Sequence, residues 1–304
     1  MSAESPLSSA RDNFSRSETL ALAWPMIMLS VFFVIPFGTM LVISFFERVP
    51  GGFFEPGFTL DSYVRFIDPF FFKSLGMTMM IAASASVLCL VLAVPFTWTM
   101  SRMRHHHKVL WLVALLSILS LSEVIIGFSW SLLLSRATGI GNILVWLGLE
   151  NRAPKLSPGL GAVLTGLCYL GFPYAVLVLF PQLSRLDPTL HEAARMLGAS
   201  PRRAFVNVVL PNIAKALVAA FIMVFVFTLG AYLIPQLLGK PQQWTLPVLI
   251  ADQALFQSNL PFAAAMSIFL LGVSLSLVVC VGWLGRSSTP TAMNEQNDKQ
   301  ETSS

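Results

Sequence analysis

Six apolar windows, residues 21–46, 75–100, 109–134, 159–182, 216–238 and 260–284, hold 150 of the 304 residues and a single charge, Glu123. A helix crosses the ~30 Å hydrocarbon core of a bilayer with about 20 apolar residues, so each window is long enough to span. The remaining half of the chain carries the other 33 charged side chains. That segregation excludes a disordered chain and an ordinary soluble domain, in which about a quarter of residues are charged and mixed among the apolar ones. A β-barrel requires ~10-residue segments of alternating polarity, which are absent here. The windows predict an all-α polytopic membrane protein with six transmembrane helices. They divide the chain into a polar tail 1–20, a membrane domain 21–284 and a polar, disordered tail 285–304.

An even number of spans puts both tails on one side. With the tails inside, the inner segments carry 12 Lys and Arg and the outer loops 7. This bias favours cytoplasmic termini. The first apolar run is longer than a signal-peptide core and no small-residue cleavage site follows it, so it reads as an uncleaved first helix. The net charge of +4 serves topology; nothing in the chain points to nucleic acid.

Cys89, Cys168 and Cys280 each fall in a different span and read as small buried apolar residues, not as a disulfide or metal framework. His105, His106 and His107 lie in the short basic connection 101–108. Adjacent side chains on a turn diverge, so they form a poor chelating face and read as a solvated basic anchor. The outer loop Pro50–Phe58 is rich in Phe, Pro and Gly, which predicts packing on the membrane surface or on the protein's own outer face. Trp24, Trp98, Trp111 and Trp283 fall near span ends, where aromatic belts form.

The inner segment 183–215 is too long for a simple turn. Asp187-Pro188 is an N-cap with proline at the first helical position. Good helix formers follow to Leu197, and Gly198 supplies a left-handed stop. Ser200-Pro201 repeats the start, and a second helix is predicted to end before Pro211. The small face of Ala193 and Ala194 admits a close partner, and Glu192 and Arg195 can pair with each other or with that partner. An interfacial linker helix fits the same residues.

These residues carry a resemblance. Glu192-Ala193-Ala194, three residues, Gly198, nine residues, then Val208, Leu210 and Pro211 resembles the EAA loop of ABC importer permeases, with Val208 in place of the usual isoleucine. Gly57–Tyr63 and Leu229–Gly239 resemble segments of the spermidine/putrescine-type permeases, and the likeness covers roughly residues 20–285. The resemblance implies a type I ABC importer permease fold. It implies a coupling element over Asp187, Glu192, Ala193, Ala194, Arg195, Gly198, Ala199, Ser200, Val208, Leu210 and Pro211, seated in a groove of an ATPase. It also implies the partners: two ATP-binding cassette subunits, a second permease subunit (a paralogue or this same chain), and a periplasmic or lipid-anchored substrate-binding protein. The chain lacks a phosphate-cradling G-x-x-x-x-G-K-[ST] loop, so it binds no cofactor itself and ATP is used by the partner.

Glu123, flanked by Ser122 and with Trp130 two turns on, is read as lying mid-span. A carboxylate there costs about 2.5–3.5 kcal/mol on insertion scales, so it faces a pathway, a partner or a proton relay. Glu123, Ser122 and Trp130 are therefore substrate-path candidates, with a polyamine-like cargo suiting the carboxylate and helix packing as the competing role. Two other functions remain open on the residues. An ion-coupled secondary transporter would need further intramembrane charges and internal repeats, and a membrane scaffold would not need the spacing of the loop.

Overall fold

The computed structural model of the chain describes residues 7–49, 52, 54–136, 139–148, 154 and 156–286. Among these the secondary structure is helical, with one isolated antiparallel bridge between Glu47 and Glu55. Helix α1 is Leu7–Ile43 and begins inside the segment read as a tail. Next comes α2, Pro69–Ser101, started by Asp68, whose Oδ1 accepts from the Phe70 N–H at 2.9 Å ahead of Pro69. Helices α3 (His105–Ser120) and α4 (Glu123–Leu133) follow, then the short α5 (Ile140–Trp146) and the long α6 (Leu160–Arg185). The inner loop forms α7 (Pro188–Met196) and α8 (Pro201–Asn212). The chain then runs through α9 (Ala214–Leu229), α10 (Leu233–Leu238), α11 (Leu246–Ala251) and α12 (Leu260–Arg286). The C-terminal tail expected to be disordered lies outside the described residues.

Four helices, α1, α2, α6 and α12, are each long and apolar enough to cross a membrane as a single span. With each bent pair counted as one span the structure reaches the six expected, and the third and fifth windows are interrupted within themselves. α3 and α4 meet at 95° across the extended residues Leu121 and Ser122. α9 stops at Gly230, and α10 restarts after Tyr232. The second break has a local cause. Pro235 has no N–H to give the Ala231 carbonyl, and its ring would collide with that carbonyl in a continuous helix. Glu123 is therefore not in the middle of a helix; it opens α4 at the first break.

The centre of the molecule is α2, α6 and α9. Lipid gives no hydrophobic drive between helices, so close approach of small residues does the work. Cys89 and Ala93 of α2 share one buried cluster with Ala175 of α6 and Ala220 of α9, and Gly171 of α6 faces Cys89. A Cβ on Gly171 would stand 3.0 Å from Val224 Cγ1 and 3.1 Å from Cys89 Sγ. The thiols satisfy themselves across the seam: Cys89 Sγ donates to the Cys168 carbonyl at 3.7 Å, and Cys168 Sγ to that of Ala85 at 3.6 Å. Both are buried as expected, but Cys280 is exposed. The physical reason is that α12 packs through its first turns, at Ala263 to Met266, while Leu275, Val279 and Trp283 face outward.

None of the apolar stretch Ala23–Ile43 of α1 is buried in this chain. Such a surface requires lipid or another membrane subunit as its solvent. On the opposite side of the fold from α7, the Phe-rich loop packs on its own protein. Phe45 stacks on Phe58 at 5.3 Å, and Tyr63 Oη lies 2.7 Å from Ser44 Oγ.

Candidate functional site

The inner loop is built by local signals. Asp187 Oδ1 accepts from the Thr189 N–H at 2.9 Å and starts α7. The backbone N–H and the hydroxyl of Thr189, both bonded to that carboxyl, hold the Asp187 pKa below the ordinary carboxylate range. At the other end Gly198 has φ +89. Its N–H donates to the Arg195 carbonyl at 3.0 Å, and Ala199 N–H donates to Ala194 at 3.1 Å. This paired closure satisfies the last carbonyls of α7 and requires a residue that tolerates left-handed dihedrals. Ser200 Oγ then accepts from Arg203 N–H at 3.4 Å and starts α8.

Within α8 the expectation of a stop before Pro211 fails. Phe205–Val209 winds as a π-helix, and the helix continues through Pro211 to Asn212. The wider turn accommodates a proline that an α-helix would reject, and Asn212 Nδ2 donates to the Val208 carbonyl at 2.8 Å. Ile213 then turns the chain by 74° into α9.

The structure divides the predicted coupling residues into two sets. Glu192, Ala193, Arg195, Gly198 and Ser200 are exposed on α7 and the bend, while Ala194 and Ala199 are half-buried. Val208 and Leu210 are half-buried, and Val209 between them is fully buried in the core with Ile213, Leu183 and Cys89. The first half of the motif stands clear, and in the second Pro211 is exposed while the intervening Val209 reaches the core. Sequence reasoning missed Met196 and Leu197, each 90% exposed at the end of α7. Two large apolar side chains on an otherwise polar surface loop are the sign that could have found them. A concavity of about 560 Å³ lies between α7 and α8, walled by Glu192, Arg195, Met196 and Pro201.

The two breaks in the membrane meet each other. α4 packs on α10 and on α6, with Gly127 against Leu237 and Ile234, and Gly166 against Leu238 and Ile234. The Ile234 N–H, unpaired within the first turn of α10, is directed at the Glu123 carboxyl. The other side-chain oxygen of Glu123, Oε1, is buried with no hydrogen-bond partner. Beside this junction lies a cavity of about 340 Å³ lined by Ser129, Trp130, Tyr169 and the aliphatic side chains of Leu121, Ile125 and Leu133. Trp130 meets Tyr169 edge-on at 5.7 Å. Of the three path candidates, Trp130 lines the cavity, and Ser122 and Glu123 do not. Tyr169 joins it from α6. No group of three or more His, Cys, Asp or Glu able to hold a metal occurs among the described residues. The rings of His106 and His107 lie 4.0 Å apart at the start of α3, tilted by 45° to one another.

Residues 86–290 match the family described as "Binding-protein-dependent transport system inner membrane component". The chain is 30% identical over 255 residues to the spermidine/putrescine transport system permease protein PotB of Escherichia coli (strain K12), covering 84% of this chain and 92% of that protein. Its fold is similar to a chain of a bacterial ABC transporter involved in the import of the acidic polysaccharide alginate. The TM-score is 0.72 at 17% identity, covering 93% of this chain and 100% of the other. The alginate transporter solved with its pentasaccharide-bound periplasmic protein gives a TM-score of 0.70 at 18% identity, covering 92% and 98%.

Proposed function

The chain belongs to the binding-protein-dependent transport system inner membrane components, and on that premise we propose how its parts divide the work of import. It is a multi-pass inner-membrane permease subunit of an ATP-driven, binding-protein-dependent importer, not an enzyme. The single observation that carries the division of labour is α7. It is a short helix capped at both ends, projecting Glu192, Arg195, Met196 and Leu197 into solvent while its continuation, α8, is rooted in the core.

In our reading α7 seats in a groove of an ATP-binding cassette subunit, with Met196 and Leu197 as the apolar contacts and Glu192 and Arg195 as the polar ones. Two such ATPases serve two permeases, this chain and a companion of the same kind. ATP is bound by the ATPases, and this chain carries no cofactor. The tails and α7 lie in the cytoplasm, consistent with the excess of Lys and Arg there. A periplasmic or lipid-anchored binding protein delivers the cargo to the opposite face. When the ATPases close, α7 moves with them and α8 passes the movement to α9 through the bend at Ile213.

The cargo is a polyamine or a related small cation. Relatives at 30% identity are named for spermidine and putrescine. Trp130 and Tyr169 offer aromatic faces to ammonium groups and apolar walls to methylenes. Glu123, at the junction beside that cavity and with Oε1 buried without a partner, supplies a carboxylate whose charge favours a cation there. The test is reconstitution in proteoliposomes with the ATPase, the companion permease and the binding protein. Spermidine uptake is expected to need ATP and the binding protein. Uptake driven by an ion gradient alone refutes the importer. Glu123→Gln transport at the wild-type rate and affinity removes Glu123 from the path.

A further inference from the structure

The coupling helix is tied to the membrane domain by a second route, outside the loop that contains it. Arg102 is the residue after the last turn of α2, and its guanidinium carbon lies 3.6 Å from the centroid of the Trp98 ring. Trp98 in turn meets Phe205 edge-on at 5.4 Å and 67°. Phe205 opens the π-turn of α8, the segment against which α7 packs. Glu192 of α7 is the opposite charge that Arg102 feels: partial burial draws the Arg102 pKa below the ordinary guanidinium value, and the Glu192 carboxylate opposes that shift. A guanidinium stays charged throughout the physiological range, and its plane can stack on an indole while its edge faces a carboxylate.

We propose that Arg102 is a positioning residue that latches the coupling loop to the cytoplasmic end of α2, stacked on Trp98, which itself meets Phe205 of α8, and opposite in charge to Glu192 of α7. It rests on reading α7 as the ATPase-docking helix. The latch gives the movement of α7 a direct line to α2. That helix is packed along much of its length against α6 and α9, so it cannot follow without carrying the centre of the membrane domain with it. The loop then has two attachments of different kinds. The covalent one, through α8 and Ile213, steers α9. The side-chain one, through Arg102, steers α2. An isolated α7 would swing on its bend at Gly198; the latch fixes its orientation before an ATPase arrives.

Hydrogen exchange on the full chain in nanodiscs tests the latch without any partner. R102Q is expected to raise the exchange rate of amides 188–198 roughly three- to thirtyfold, the loss of one cation–π contact and of the attraction between a cation and the Glu192 carboxylate. R102K, which keeps the charge without the planar stack, is expected to fall between. In a W98L background R102Q should add less than about twofold, because the ring it stacks on is gone. Unchanged exchange in R102Q, or effects of R102Q and W98L that multiply, overturns the latch. The functional half uses the reconstituted complex with spermidine as probe. Uptake per ATP hydrolysed should fall in R102Q while basal hydrolysis persists, with partial recovery in R102K. Faster exchange with an unchanged ratio overturns the positioning role. A wild-type complex that takes up no spermidine sinks the polyamine reading instead, and the exchange result still decides the latch.

Discussion

Gly166→Ala perturbs the contact between α6 and the broken fifth span. A Cβ at residue 166 would stand 2.8 Å from Leu238 Cδ1 and 2.9 Å from Ile234 Cγ2. Ile234 and Leu238 are both fully buried, and the Ile234 methyl sits on a β-branched carbon with few rotamers to retreat into. Overpacking of this kind costs about 1–3 kcal/mol. Alanine returns up to ~1 kcal/mol in helix propensity, so the cost and the gain compete. Gly272→Ala separates them. Gly272 lies inside α12, and a Cβ added there would meet nothing within 4 Å, so only the propensity gain applies. The difference between the two variants isolates the overpacking, about 1–3 kcal/mol, or several degrees at roughly 2–4 °C per kcal/mol. The assay is thermal unfolding in detergent followed with a thiol-reactive dye. Buried Cys89 and Cys168 report the opening of the central seam, and a Cys280→Ser background removes the exposed thiol. Gly166→Ala melting at or above Gly272→Ala would refute the claim that α6 and α10 are in close contact.

Three further outcomes are expected. Gly198→Val places a β-branched residue at φ +89, at a local cost of about 1–2 kcal/mol; ATP-driven uptake should be lost while membrane insertion, read by fractionation, is kept. Asp187 has a folded pKa below its unfolded value. Its contribution is therefore present above the unfolded value, near pH ~4, and lost as pH falls through the folded one. Protection of the α7 amides should hold from neutral pH down to that range and then decline, and Asp187→Asn should flatten the profile. Trp130→Ala removes one aromatic wall of the 340 Å³ cavity. The KM for spermidine uptake should rise about three- to thirtyfold, as for losing a desolvated cation–π contact of ~1–2 kcal/mol; an unchanged KM places the cargo elsewhere.

What is legible in the chain alone follows the range of the forces involved. The bilayer forces each spanning segment to satisfy its own backbone, so the six windows follow from composition alone. The coupling loop is equally local. Asp187-Pro188, Gly198 and Ser200-Pro201 each act within four residues, and the caps and the left-handed bend stand where those residues put them. The π-turn before Pro211 is hidden because its compensating donor, Asn212, lies beyond a proline that reads as a stop.

The breaks of the third and fifth spans are hidden for a different reason. Hydropathy sums a window without direction, and the residues on both sides of Leu121 and of Tyr232 are equally apolar. What bends the chain there is partly Pro235, which the sequence contains, and partly contact between residues far apart in the chain. The Glu123 carboxyl facing the Ile234 N–H, Gly127 against Leu237, and Trp130 against Tyr169 are all long-range pairings. The latch is of the same kind: Arg102, Trp98 and Phe205 are ordinary residues until packing brings α2 and α8 together. The sequence by itself determined a six-segment membrane chain with a capped, projecting helix, because lipid and capping act on neighbours in the chain. Only the tertiary structure decided where two spans break, what Glu123 touches and how α7 is held, because those depend on helix packing that no window of sequence contains.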